Sequence, residues 1–206
     1  MGQPVAIGVE GGIRATGDLS GTLNPLGAIL NPESKRYIVG PKLEVRLPWH
    51  VSFEFDALYR DIGFTGITGF LNGGCCGGSV TRERLNSWEF PMIVKYRFPG
   101  VRWLHPFAGV GYSPRILYGR YATLGSYVNQ DTGALMYYSG KTNIRYPVTQ
   151  GLVISGGVGF GARHVLISPE LRYVHWNADF VNDFGEGPGY SSPQNELFVL
   201  VGIAWH

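Results

Sequence analysis

In the segment 51–60, residues Val51, Phe53, Phe55, Ala57 and Tyr59 alternate with Ser52, Glu54, Asp56, Leu58 and Arg60. A period of two is the signature of a β-strand with unlike faces, here one apolar and one ionic. Six further segments carry the same pattern. In 5–14, Val5, Ile7, Val9 and Ile13 oppose Glu10 and Arg14; in 39–47, Val39, Leu43, Val45 and Leu47 oppose Lys42, Glu44 and Arg46. In 88–98, Trp88, Phe90, Met92, Val94, Tyr96 and Phe98 oppose Glu89, Lys95 and Arg97; in 104–116, Leu104, Ala108, Val110, Tyr112 and Ile116 oppose His105, Ser113 and Arg115. In 165–173, Val165, Ile167, Leu171 and Tyr173 oppose Ser168, Glu170 and Arg172; in 196–205, Leu197, Val199, Val201, Ile203 and Trp205 oppose Glu196, Gly202 and Ala204. An uncharged eighth strand, 152–160, sets Leu152, Ile154, Val158 and Phe160 against Ser155, Gly157 and Gly159.

Once the first charge in each strand sets its parity, no other strand charge disagrees, an outcome of roughly one in 250 by chance for a period-two pattern. The ionic faces thus collect seven acids (Glu10, Glu44, Glu54, Asp56, Glu89, Glu170, Glu196) and eight bases (Arg14, Lys42, Arg46, Arg60, Lys95, Arg97, Arg115, Arg172). At 206 residues with 31 glycines and no run of helical period, the chain reads as a single all-β domain spanning 1–206. The net charge of +2, with bases interleaved among acids, argues against a nucleic-acid partner.

No apolar run reaches the roughly 18 residues that a transmembrane helix needs, but barrel strands of about 9–11 half-polar residues escape that test. Met1-Gly2-Gln3-Pro4 leads straight into the first strand without a basic and apolar leader, as in a mature sequence with a restored start codon. Cys75 and Cys76 are adjacent inside a glycine-rich stretch, which reads as a loop tip and lacks the spaced ligands of a metal site.

Connections alternate between short (48–50, 99–103 and 162–164) and long (18–36, 65–83, 119–147 and 177–195), the up-and-down pattern of short periplasmic turns and long external loops. The long connections, rich in Gly, Ser, Asn, Thr and Pro, are expected to be polar and mobile. Tyr118, Tyr121, Tyr127, Tyr137, Tyr138 and Tyr146 stud the third, as a contact surface, loop packing or an upward extension of the hairpin. Aromatics gather at both rims: Trp49, Trp103 and Trp205 at the short-turn end, Trp88 and Trp176 at the long-loop end.

Alternation alone does not choose between a membrane barrel, apolar outside, and a soluble ligand-binding barrel of lipocalin type, apolar inside. Three features favour the membrane: opposed charges mixed with glycines on the polar face, Trp and Tyr at both ends of the apolar face, and no formal charge on that face, where Arg or Lys at the bilayer midplane costs about 2–4 kcal/mol. An eight-stranded barrel has room only for side chains, so the fifteen charges are expected to pair as a network filling the lumen.

The stretches Gly40-Pro41-Lys42-Leu43-Glu44-Val45-Arg46-Leu47-Pro48, Trp88 to Phe98, His105-Pro106-Phe107-Ala108-Gly109-Val110-Gly111-Tyr112, Ser168-Pro169-Glu170-Leu171-Arg172-Tyr173 and Gln194 to Trp205 give the chain its resemblance to the small outer-membrane β-barrels of the opacity-protein and OmpA transmembrane-domain type. The resemblance implies an eight-stranded antiparallel up-and-down transmembrane β-barrel in the bacterial outer membrane. It implies outer-membrane lipid and lipopolysaccharide as surroundings and the barrel-assembly machinery as a partner during insertion. Such barrels end on an aromatic residue, often Phe, whereas Trp205 is followed here by His206.

The same resemblance raises lipid A deacylation, whose pattern of His, Ser two residues on, and Asn is answered by His175-Trp176-Asn177-Ala178, without the serine. A histidine with no hydroxyl or thiol beside it has no nucleophile to activate. The expectation is a non-catalytic envelope barrel acting through its external loops, with no cofactor or metal. The alternative is a narrow pore or solute-binding barrel with Arg60, Arg115 and Arg172 as anion contacts.

Overall fold

A computed structural model describes residues 4–17, 20–21, 29–72, 75–99, 104–129, 132–140, 148–162, 165–178 and 190–205. Trp103, Tyr146 and all but the first residue of the expected turns at 99–103 and 162–164 lie outside them, as does most of the fourth long connection. The described strand segments are β1 (Val5–Arg14), β2 (Ser20–Gly21), β3 (Ile29–Pro32), β4 (Tyr37–Arg46), β5 (Val51–Asp56), β6 (Leu58–Asn72), β7 (Cys75–Glu89), β8 (Met92–Arg97), β9 (Leu104–Val128), β10 (Leu135–Gly140), β11 (Val148–Ala162), β12 (Val165–Trp176), β13 (Tyr190–Ser191) and β14 (Asn195–Trp205).

They close into an antiparallel barrel of eight staves. β1 pairs with β14 and β4, β4 with β5, β5 with β8, β8 with β9, β9 with β11, β11 with β12, and β12 with β14, which returns to β1. Two staves are each built from two segments, β5 with β6 across Ala57, and β7 with β8 across Phe90 and Pro91. Proline has no N–H for the ladder, yet its carbonyl still accepts: Asp56 N donates to Pro91 O at 3.1 Å and Ala57 N to Pro41 O at 3.1 Å. Both interruptions therefore sit side by side at one level of the wall.

The strands pack close because glycines face the lumen where backbones approach. A side chain at Gly40 would collide with the Ala57 carbonyl, and one at Gly8 with the Ile203 carbonyl. The turn between β4 and β5 holds Trp49 at φ 61° and His50 at φ 64°, left-handed values that a tight hairpin demands and bulky residues adopt at a cost.

The long connections differ from the expected mobile loops. Segment 65–83 is an extended hairpin: β6 and β7 stay paired from Leu58 opposite Glu89 to Asn72 opposite Cys75. β9 runs beside β7 up to Tyr127 opposite Gly77, and β10 folds back along it from Leu135 opposite Val128. β3 lines β6, with Ile29 opposite Ile67, so part of 18–36 is also strand. Turn-forming Gly, Ser and Thr dominate these segments, but Thr65, Ile67, Thr68, Val80, Thr81 and Leu124 are good strand formers, and each stave offers its neighbour a ladder to continue. Cys75 and Cys76 take the last two ladder positions of this hairpin, not the loop tip expected for them.

An extended sheet predicts slow amide exchange. Backbone amides of 66–71 and 79–82 will exchange on the order of 100-fold more slowly than unstructured chain in native-state hydrogen exchange; rates at the unstructured level would contradict the pairing.

Candidate functional site: the charged lumen and the outer wall

Because every stave alternates, each inward position lies in register with inward positions on its neighbours, and the barrel brings charges from the whole chain together. Glu10, Arg14, Lys42, Glu44, Glu54, Asp56, Arg60, Glu89, Lys95, Arg115, Glu170, Arg172 and Glu196 are all buried. Arg46 and Arg97 are half-buried at the short-turn rim, where Arg97 bonds to Glu44.

Apart from Glu44, the buried ions form two clusters. In the lower one Arg172 reaches four carboxylates: Nε to Glu170 at 2.8 Å, Nη1 to Asp56 at 2.9 Å, and Nη2 to Glu54 at 3.0 Å and Glu10 at 3.3 Å. Lys42 Nζ bridges Glu10 (2.5 Å) and Glu54 (2.6 Å), and Lys95 Nζ bridges Glu54 (2.7 Å) and Glu170 (2.5 Å). Carboxylate oxygens of Glu10, Glu54 and Glu170 lie within 4.8 Å of one another, a spacing that suits a metal ion. Here the ammonium groups of Lys42 and Lys95 and the Arg172 guanidinium hold the positions from which a cation would neutralise them.

The upper cluster centres on Glu196. Its Oε1 accepts from Arg14 (3.1 Å), Arg60 (3.2 Å) and Arg115 (3.4 Å), and its Oε2 from the Trp176 indole N–H at 3.0 Å. Arg60 also faces Glu89 at 3.3 Å, and Arg115 Nε donates to Thr149 at 2.9 Å. Between the clusters lie the apolar Ile38, Leu58, Ile93, Val153, Val174, Phe198 and Leu200. The lower cluster holds one more carboxylate than cations, the upper one more cation than carboxylates, so the residual charges oppose each other across the apolar layer.

Trp176 corrects one expectation. It is not an interfacial aromatic but a lumen residue with 0% exposure, its ring 3.8 Å beneath the Arg115 guanidinium. The strand read as ending at Tyr173 continues to Trp176, and its parity, Ser168, Glu170, Arg172, Val174, Trp176, turns the indole inward. Extending that alternation by three residues is the signal that finds it. His175 consequently points outward, its Nδ1 2.7 Å from Asn195 Oδ1, which also accepts from the Tyr173 hydroxyl, while Asn177 Oδ1 accepts from Gln150 N. The His-Trp-Asn string is thus split between the two faces of the wall.

Outward residues of β6, β7 and β9 form rows across the wall. The row Tyr59, Trp88, Ile116 carries an aromatic pair at 5.4 Å, with Phe90 stacked on Trp88 at 6.4 Å. The next holds Asp61, Asn86 and Tyr118, and Tyr59 donates to Asn86 at 2.6 Å. Arg84 follows, then Thr65, Arg82 and Ala122, and above them Ile67, Val80 and Leu124. Exposed Lys35 and Arg36 flank the same level, with Lys35 N bonded to Asp61 O and Arg36 O accepting from Arg14 N. On the opposite side of the aromatic row the outer face is apolar through Phe55, Val94, Val110, Ile154, Leu171 and Val199. It ends at Tyr96, Phe98, Trp205 and a Trp49 that is 87% exposed.

No family model matches the sequence, and no curated protein matches it. Solved structures do share its fold. The outer membrane protein OprG from Pseudomonas aeruginosa superposes at TM-score 0.55 with 10% identity, covering 98% of this chain and 93% of its own. Neisserial surface protein A (NspA) superposes at TM-score 0.53 with 10% identity, covering 98% and 97%. The fold is that of the small outer-membrane β-barrels.

The lower cluster predicts a steep penalty for removing its central cation. Arg172→Met takes from Asp56 its ion-pair partner and leaves four carboxylates facing two lysines, and it will destabilise the barrel by about 3–5 kcal/mol in urea unfolding from lipid vesicles. Glu196→Gln, which leaves Arg14, Arg60 and Arg115 facing one another, will cost a similar amount, whereas the rim variant Arg97→Met will cost under about 1 kcal/mol. Equal effects at all three positions would contradict the layered network.

Proposed function

We propose that the protein is an integral barrel of the bacterial outer membrane whose lumen is plugged by its own side chains and whose work is done by its extracellular surface, without catalysis. The observation that carries this reading is the reversal between its two faces: ions sealed within, apolar side chains outside, and an outer face that changes from aromatic to basic just above Trp88. Within the lumen a cavity lined by Lys42, Glu54, Lys95, His105 and Phe107 amounts to about 10 Å³, the space of a single water. Hydrated solutes need far more.

Outside, the apolar band suits acyl chains and the Tyr59–Trp88 row their interface with headgroups. Arg84 sits four residues beyond Trp88, about 13 Å along the strand. Arg84 and Lys35 would meet the phosphates of lipopolysaccharide there, and guanidinium is the better phosphate ligand of the two cation types. The β6–β7 and β9–β10 extensions then stand above the lipid as the surface a partner would meet.

Two measurements test this reading. In planar bilayers the purified protein will show no discrete large channels; well-defined open states would contradict the plug and favour the pore. Folded in vesicles containing lipopolysaccharide, the barrel will resist thermal unfolding better than in zwitterionic lipid alone, and Arg84→Ser with Lys35→Ser will remove most of that difference. An unchanged difference would overturn the phosphate assignment.

A further inference from the structure

The extended sheet carries an apolar groove of about 800 Å³ lined by Ile67, Val80, Leu124, Tyr137 and Tyr138, with Arg82 at its end nearest the barrel. That volume lies within the roughly 300–1,000 Å³ of small-molecule sites. Ile67, Val80 and Leu124 are consecutive in one cross-strand row, and Tyr137 lies opposite Ser126 in the next. Leu124 is 65% exposed and Tyr137 78%, so this apolar surface is open to an occupant, and contiguous exposed apolar patches mark binding sites. Arg82 is exposed on the row directly below. Glu33 accepts from the Thr65 hydroxyl at 2.6 Å.

We propose that this groove binds a single-chain anionic amphiphile, a long-chain fatty acid, with its carboxylate on Arg82 and its chain along Ile67, Val80, Leu124 and Tyr137. Charge and polarity decide the class. An inorganic anion would leave the apolar row uncovered, and a neutral lipid would leave the guanidinium unused. Val80 is eight residues beyond Trp88, about 26 Å along the strand, so the acyl chains of bilayer lipids, which point away from the groove, do not reach it. That last step rests on the membrane reading above; the binding chemistry does not.

The test uses the full chain in dimyristoyl phosphatidylcholine nanodiscs, a photoreactive diazirine analogue of palmitate, and peptide mapping. The expected result is saturable labelling of β7, β9 and β10, displaced by palmitate and at least tenfold less well by hexadecanol, which has the same chain and no charge. Arg82→Glu and Leu124→Asp, both on exposed side chains, will each weaken labelling at least tenfold. Heat-modifiable migration of every variant on gels verifies that the barrel is folded and inserted, which keeps a failure of the membrane reading distinct from a failure of the groove. Labelling confined to strand segments on the barrel side of Trp88, equal competition by the alcohol, or insensitivity to both variants would overturn the proposal. So would a dimer in nanodiscs that Leu124→Asp dissociates, since the groove would then hold a second copy.

Discussion

The Arg172 guanidinium is the point on which the lower half of the barrel is assembled. It bonds to carboxylates from β1, β5 and β12, and Lys42 and Lys95 bring in β4 and β8. Charges taken from water are tolerable only when matched this closely, since an unmatched one costs several kcal/mol. Each charged stave must therefore present its ionic residues at the right height and on the inner face. A one-residue slip would turn the whole inner set of a stave outward and leave its partners stranded. The network thus specifies register as much as it adds stability, and the apolar layer above it keeps the two clusters from exchanging partners.

The outer wall follows from the same alternation. With ions confined to the inside, the outward positions between the two aromatic rows are free of formal charge among the described residues, which makes the surface suitable for hydrocarbon. Beyond Trp88 the constraint relaxes, and Asp61, Arg84 and Arg82 appear on the outward face while the strands simply continue. The change in polarity without a change in secondary structure is what sets the two zones of the wall, one apolar and one mixed with charge. Tyr137 and Leu124 then form an exposed apolar surface at the top of that second zone.

Period-two charge parity is enough to find seven of the eight staves, since Glu54, Lys95 and Arg172 each announce an inner face within a few residues, and the alternation of apolar with small residues in 152–160 finds the uncharged eighth. Two classes of feature escaped it. Residue type points Trp176 to an interface, where Trp is common, but its position three residues past Tyr173 puts it on the inner parity, where the indole bonds to Glu196. The β6–β7 extension escaped because its glycines, serines and threonines resemble loop composition, and only pairing with a neighbouring stave, a non-local interaction, makes strand the better state. Which cation meets which carboxylate was also out of reach: Arg172 and Asp56 are 116 residues apart and meet only through barrel closure.

The measurement that most directly tests which face meets lipid is collision accessibility of single nitroxide labels, placed in a background with Cys75 and Cys76 replaced by serine and reconstituted in bilayers. Labels at Phe53, Val94, Leu171 and Val199 should collide readily with oxygen dissolved in the hydrocarbon and little with a water-soluble nickel chelate. Labels at the alternating Ser52, Ser155 and Ser168 should be shielded from both. The reverse, with the first set shielded and the second set open to the aqueous reagent, would place the ions outside and contradict the account.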